Sequence, residues 1–149
     1  MKVSRLALLI LLICTSGSMF SQSLEDIILI DEIADDITEL LDEFGDLPNV
    51  YVIDGDTPDA LRLITEQLVN LRIQDLHIHV PTKPGAIVFS SIAITPESVD
   101  ELPLDLADWT EVISGKVVIH SQVVFTGEEG LNLKQELESR TGLVFVSQN

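Results

Sequence analysis

Six short apolar runs, rich in β-branched residues, punctuate the chain: IILI (27–30), VYVI (50–53), LHIHV (76–80), AIVF (86–89), VVIHS (117–121) and LVFV (143–146). Such runs suit strands buried on both faces, and most are separated by segments of helical period. Between the first two, Ile33, Ile37, Leu40, Leu41 and Phe44 share one helix face, closed by Gly45. Thr57 and Pro58 give the N-cap and first turn of a helix that points Leu61, Ile64 and Leu68 inward. Thr95 and Pro96 open a segment running to Ile113, which Pro103 divides. The last helix carries Glu128 and Glu129 in its first turn, Arg140 in its last and Gly142 just beyond, in accord with the helix dipole and a glycine C-cap. Strand-helix alternation of this kind predicts an α/β fold, a mostly parallel sheet with helices on both faces. The AIVF run follows its predecessor after PTKPG, too short for a crossover helix, so a local hairpin or edge strand is expected there.

The chain has 149 residues, enough for one domain. Residues 1–21 have the order of a secretory signal peptide: Lys2 and Arg5, an apolar run from Leu6 to Ile13, then small and polar residues. The run is too short to span a bilayer. Cleavage is expected near Ser18 or Ser21, and the mature protein, with residues 24–149 as its one domain, is expected to be secreted, periplasmic or at the cell surface, without membrane insertion. Cys14, the single cysteine, lies in the segment expected to be removed, so the mature chain has no disulfide and no thiol nucleophile. The chain carries 25 acidic and 8 basic residues, a net charge of −17, which disfavours nucleic acid and anionic lipid as partners. DGDTPD (54–59) lacks the ligand series of a calcium loop and reads as a turn and cap.

Two segments then look familiar together. DLHIHVPTKPGAIVF (75–89) resembles the strand and loop of caspase-like cysteine peptidases that carry the catalytic His, and GKVVIHSQVVFTGEEG (115–130) resembles the partner strand, which ends in Gly-Cys before a glycine-containing turn and helix. More narrowly, the chain resembles a bacterial domain of unknown function of the caspase-hemoglobinase group, found near the start of giant secreted adhesin-like proteins. The likeness spans residues 27–149, including IILIDEIADDITELL, Trp109 and the closing RTGLVFVSQN. It implies a three-layer caspase-like sandwich. Anchored on Pro84, Gly85 and Ala86, the family's catalytic His falls on Pro81 and the following Gly on Thr82; anchored on Gly127 and Gly130, the catalytic Cys falls on Gln122 and the preceding Gly on Ser121. Proline has no ionisable group and a glutamine amide is no nucleophile, so the resemblance implies a scaffold without peptidase chemistry.

The histidines are His77, His79 and His120. His77 reads as a partly buried ring bonded to backbone. His79 and His120 each stand two residues before a substituted catalytic position, at matching heights on strands expected to be neighbours. They form either a packed, hydrogen-bonded pair or, with Asp105 as third ligand, a metal site. Ser121 beside His120 invites a serine-hydrolase reading, but adjacent strand residues point to opposite faces and no G-x-S-x-G elbow is present. The expected function is that of an exported, catalytically inactive pseudopeptidase domain, with a cleft of Pro81, Thr82, Ser121 and Gln122 that binds a peptide or protein and needs no cofactor. The alternatives are a hydrolase or metal protein using Ser121 or His79 and His120, and a structural remnant of a larger adhesin.

Overall fold

The computed structural model describes residues 25–55, 60–69, 71–102, 106 and 108–148. The expected signal peptide, Thr57, Pro58, Pro103 and Asp105 lie outside the described residues. In chain order the elements are β1 (Glu25–Asp31), α1 (Ile37–Phe44), β2 (Val50–Ile53), α2 (Ala60–Leu68), β3 (Ile73–His79), β4 (Thr82–Lys83), β5 (Ala86–Val88), β6 (Ala93–Ile94), α3 (Pro96–Val99), α4 (Trp109–Val112), β7 (Lys116–His120), α5 (Gly127–Thr141) and β8 (Val144–Gln148).

Five strands form one sheet in the order β2-β1-β3-β7-β8, and all four pairings are parallel. The α/β reading with a parallel sheet and helices therefore stands. The connection from β1 to β2 steps one way along the sheet, while those from β2 to β3, β3 to β7 and β7 to β8 step the other way. Right-handed crossovers then put α1 on one face and the remaining helices on the opposite face. The core agrees. Ile27 and Leu29 of β1 join Leu61, Ile64 and Leu68 of α2, Trp109 of α4, and Leu133 and Leu137 of α5 in one cluster, whereas Ile30 joins Ala34 and Leu40 in another. Burying each large aliphatic side chain contributes about 1.5–3 kcal/mol. The indole N–H of Trp109 donates to Thr65 Oγ1 at 3.1 Å, and the Thr65 hydroxyl donates to the Leu61 carbonyl at 2.9 Å, so these buried polar atoms are satisfied.

Helices on both faces hold only for part of the sheet. Beside α1, whose Phe44 ring lies 6.1 Å from that of His79, the second face carries Asp75, His77 and His79 from β3, Lys116, the buried Val118 and His120 from β7, and Val144, Val146 and Gln148 from β8, none of which belongs to either hydrophobic cluster. The runs of β3 and β7 are apolar on one side and carry histidine on the other, while that of β1 is apolar on both.

The AIVF run forms a hairpin, but in a second sheet. β4, β5 and β6 pair antiparallel in sequence order. Two details of the first helix also differ from the sequence reading. Ile33 precedes the helix in a turn and is 40 % exposed, and Gly45 stays right-handed, with φ −60° and its N–H bonded to the Leu41 carbonyl. The last helix ends as its sequence implies, with Gly142 left-handed at φ 68° and its N–H on the Glu138 carbonyl.

Candidate functional site

The carboxyl ends of β1, β3 and β7 meet at one end of the sheet, the edge where open α/β folds hold ligands. Asp31 closes β1 and is 0 % exposed. Its Oδ1 accepts the Ile33 N–H at 3.1 Å, and its Oδ2 accepts the Ser90 N–H at 2.9 Å and the Ser90 hydroxyl at 3.1 Å. This buried carboxylate pins the loop after β5 to the end of β1.

The hairpin is fastened from its other side. Gly85, left-handed at φ 71°, sits at the turn between β4 and β5 and donates its N–H to the Val124 carbonyl at 2.9 Å. A Cβ at Gly85 would meet Glu129 Cβ at 2.7 Å, so only glycine brings the turn this close to the start of α5. Across the gap, Thr82 Oγ1 and Ser121 Oγ lie 2.5 Å apart. The Ser121 N–H donates to the Gln148 carbonyl at 2.9 Å, fixing the loop after β7 to the end of β8.

At this edge of the sheet lies an open cleft of about 510 Å³. Pro81, Thr82, Ser121 and Gln122 all line it, with His79, His120, Gln148, Asp35 and Asp36. The positions the resemblance assigns to a catalytic dyad thus face one space, in the loops that follow neighbouring parallel strands. Sequence reasoning missed Asp35, Asp36 and Gln148. The first two follow β1 in a turn, and the third depends on the pairing of His120 with Gln148 across β7 and β8.

The three histidines come together on the second face of the sheet. His79 and His120 stack with ring centroids 3.9 Å apart and planes 11° apart. Stacked rings direct their lone pairs along parallel planes, so these two do not converge on a common ion as the metal reading requires. His77 does not bond to backbone as expected; its Nδ1 lies 3.0 Å from His120 Nε2. Because His77 pairs with Val118, His120 stands two residues further along, the diagonal neighbour. Burial, aided by the neighbouring His79 and His77, holds His120 down to about 4 against an opposing pull from Asp36. Burial also lowers His79, again opposed by Asp36 and reinforced by His77.

Ser121 Oγ accepts the N–H groups of Val123 and Val124, each at 3.1 Å, and meets Thr82. Both its lone pairs are engaged by amides, and among the described residues no imidazole is hydrogen-bonded to it. The serine therefore shapes a turn, and the described residues that line the cleft offer donors, acceptors and carboxylates. Among the described residues, the side chains that can share one metal ion are Asp26, Asp75 and His77, whose ligand atoms all lie within 4.8 Å of one another. No described helix is long and apolar enough to cross a membrane.

No curated protein and no solved structure matches the chain. One family model does, over residues 27–149, a span that holds nearly all of β1, the hairpin, both loops that close the cleft and the final strand. The match and the assembly it covers are the same unit, and the chain belongs to the family described as Domain of unknown function (DUF4347).

Proposed function

We propose that this chain is an exported pseudopeptidase, a three-layer caspase-like domain without peptidase activity that uses the cleft at the ends of β3 and β7 to bind an extended peptide of a partner protein. The observation that carries the reading is the placement of Pro81 and Gln122 on the lining of one cavity, at adjacent parallel strand ends. A cysteine peptidase needs a thiolate and an imidazole at such positions; a proline and a carboxamide offer neither. What remains is a slot lined by the carboxamides of Gln122 and Gln148 and the carboxylates of Asp35 and Asp36, groups able to bond a peptide backbone. Its charged lining groups are the carboxylates of Asp35 and Asp36, and the chain's net charge is −17, so a peptide with basic side chains is favoured.

The test is fluorescence polarisation of the purified chain with a labelled peptide library, beside a panel of fluorogenic peptides. Expected are binding biased toward Lys- and Arg-containing peptides, its loss in Gln122→Trp, a weaker bias in Asp36→Asn, and no cleavage. Absence of binding, binding untouched by Gln122→Trp, or cleavage of any peptide would each refute the proposal.

A further inference from the structure

A second constellation lies away from the cleft, toward the amino ends of β1 and β3. Asp75 and His77 are two apart on one strand, so the pleat puts both side chains on the same face. Ile28 of β1 pairs with His77, and a register shift between Glu25 and Ile27 carries Asp26 beside Asp75. A carboxylate oxygen of Asp26, one of Asp75 and a ring nitrogen of His77 come within 4.8 Å of one another. That spread requires only a small contraction to reach metal bonds of about 2.0–2.2 Å.

Each group is also held from behind. Asp26 Oδ1 accepts the Asp75 N–H at 3.2 Å, and Asp75 Oδ1 accepts the Lys116 N–H at 3.0 Å. Each carboxylate keeps its second oxygen for a cation. Asp75 Oδ2 already faces one, the Lys116 ammonium at 3.6 Å. A Cβ at Gly115 would strike Asp75 Oδ1, so the glycine preceding β7 makes room for this carboxylate. His77 has its Nδ1 against His120 Nε2 at 3.0 Å. Donation from His77 Nδ1–H to that nitrogen leaves His77 Nε2 with a lone pair, the arrangement in which ligating histidines are usually supported.

We propose that Asp26, Asp75 and His77 bind a single divalent cation of the zinc class, with His120 orienting His77 and Lys116 competing for Asp75. One imidazole nitrogen with two carboxylates suits zinc or a neighbouring transition metal, whereas calcium and magnesium prefer oxygen alone. The three ligands lie outside the lining of the peptide cleft, which the site touches only through His120, and zinc binding is read without reference to any peptide.

Calorimetric titration of the full chain with zinc chloride tests this, with calcium chloride in parallel and circular dichroism to verify folding of each variant. Expected is one zinc per chain, weakened at least tenfold in Asp26→Asn and His77→Gln, weakened to a similar degree in His120→Phe, and tightened severalfold in Lys116→Met. The exposed Glu128→Gln should leave it unchanged. Failure of zinc to bind both the wild type and Lys116→Met overturns the assignment. So does zinc binding indifferent to His77→Gln, or calcium binding of equal strength, either of which would mark a diffuse acidic surface.

Discussion

Asp31 shows how one buried charge can organise a site without entering its chemistry. With three hydrogen bonds to Ile33 and Ser90, it is satisfied at 0 % exposure. Asp31→Ala leaves the Ser90 and Ile33 amides without their acceptor, and a loss of about 2–4 kcal/mol in urea unfolding is expected, with Ser90→Ala costing less because the amide bond to Asp31 survives. His120 contributes the larger part of the pH response of the histidine cluster. Its folded value of about 4 lies below the ordinary 6.5, so between these values the unfolded chain binds a proton that the native chain does not. Stability is therefore full above about pH 6.5 and is lost as pH falls toward 4. The ring is partly exposed, and with solvent screening the loss should be about 1–2 kcal/mol. Urea midpoints at pH 7 and pH 5, taken with EDTA present, should differ in the wild type and differ less in His120→Asn, where the lowered His79 still contributes. A wild type with equal midpoints would contradict the burial argument.

At the scale of elements, the β-branched runs marked the large sheet well, because a parallel strand leaves a continuous apolar signature wherever helices cover it. β4 and β6, at two residues each, are too short to carry any period, which is why their separate sheet was visible only as a hairpin at AIVF. Ile33 reads as part of the first helix because a turn residue can fall on a helical spacing by chance. The bond from Asp31 to Ser90 joins residues 59 apart and has no local sequence trace. The junction between the loop after β7 and α5 rests on glycines that the sequence displayed without explaining. At Gly130 an added Cβ would lie 2.5 Å from the Phe125 carbonyl carbon and 2.7 Å from the Val124 oxygen, while at Gly127 nothing lies within 4 Å but φ is 69°. Alanine ordinarily stabilises a helix interior relative to glycine by up to about 1 kcal/mol. Here Gly130→Ala should reverse that sign and cost about 1–3 kcal/mol through overpacking. Gly127→Ala should cost about 1–2 kcal/mol through backbone strain alone. Asparagine separates the two causes: it tolerates the left-handed region, so Gly127→Asn should be milder than Gly127→Ala, and Gly130→Asn no milder than Gly130→Ala in thermal unfolding.

For the molecule as a whole, the cleft was legible as residue positions and illegible as an electrostatic environment. Aligning Pro81 and Gln122 with the dyad that the resemblance implies needs only the glycines and prolines around them, and the pairing of His79 with His120 follows from their matching heights, whereas Asp36 and the contact of His77 with His120 depend on strand order and register acting together. Those features make the reading testable by rebuilding what is missing. If the fold holds positions 81 and 122 as a peptidase holds its dyad, Gln122→Cys combined with Pro81→His should yield a thiol activated by the new imidazole. The resident His120, held near 4, is neutral at pH 6.5 and supplies no cation to do this in its place. An ordinary thiol has a value of about 8.5, so a drop of one unit raises its thiolate fraction at pH 6.5 about tenfold. Iodoacetamide labelling at that pH should therefore run about tenfold faster in the double variant than in Gln122→Cys alone, with the difference vanishing near pH 9.5, where both thiols are ionised. Gln122 is exposed, so access limits neither rate. Equal rates at pH 6.5 in two folded variants would mean that the strands bring these positions to one cavity without the geometry of a dyad, and the pseudopeptidase reading would lose its ground.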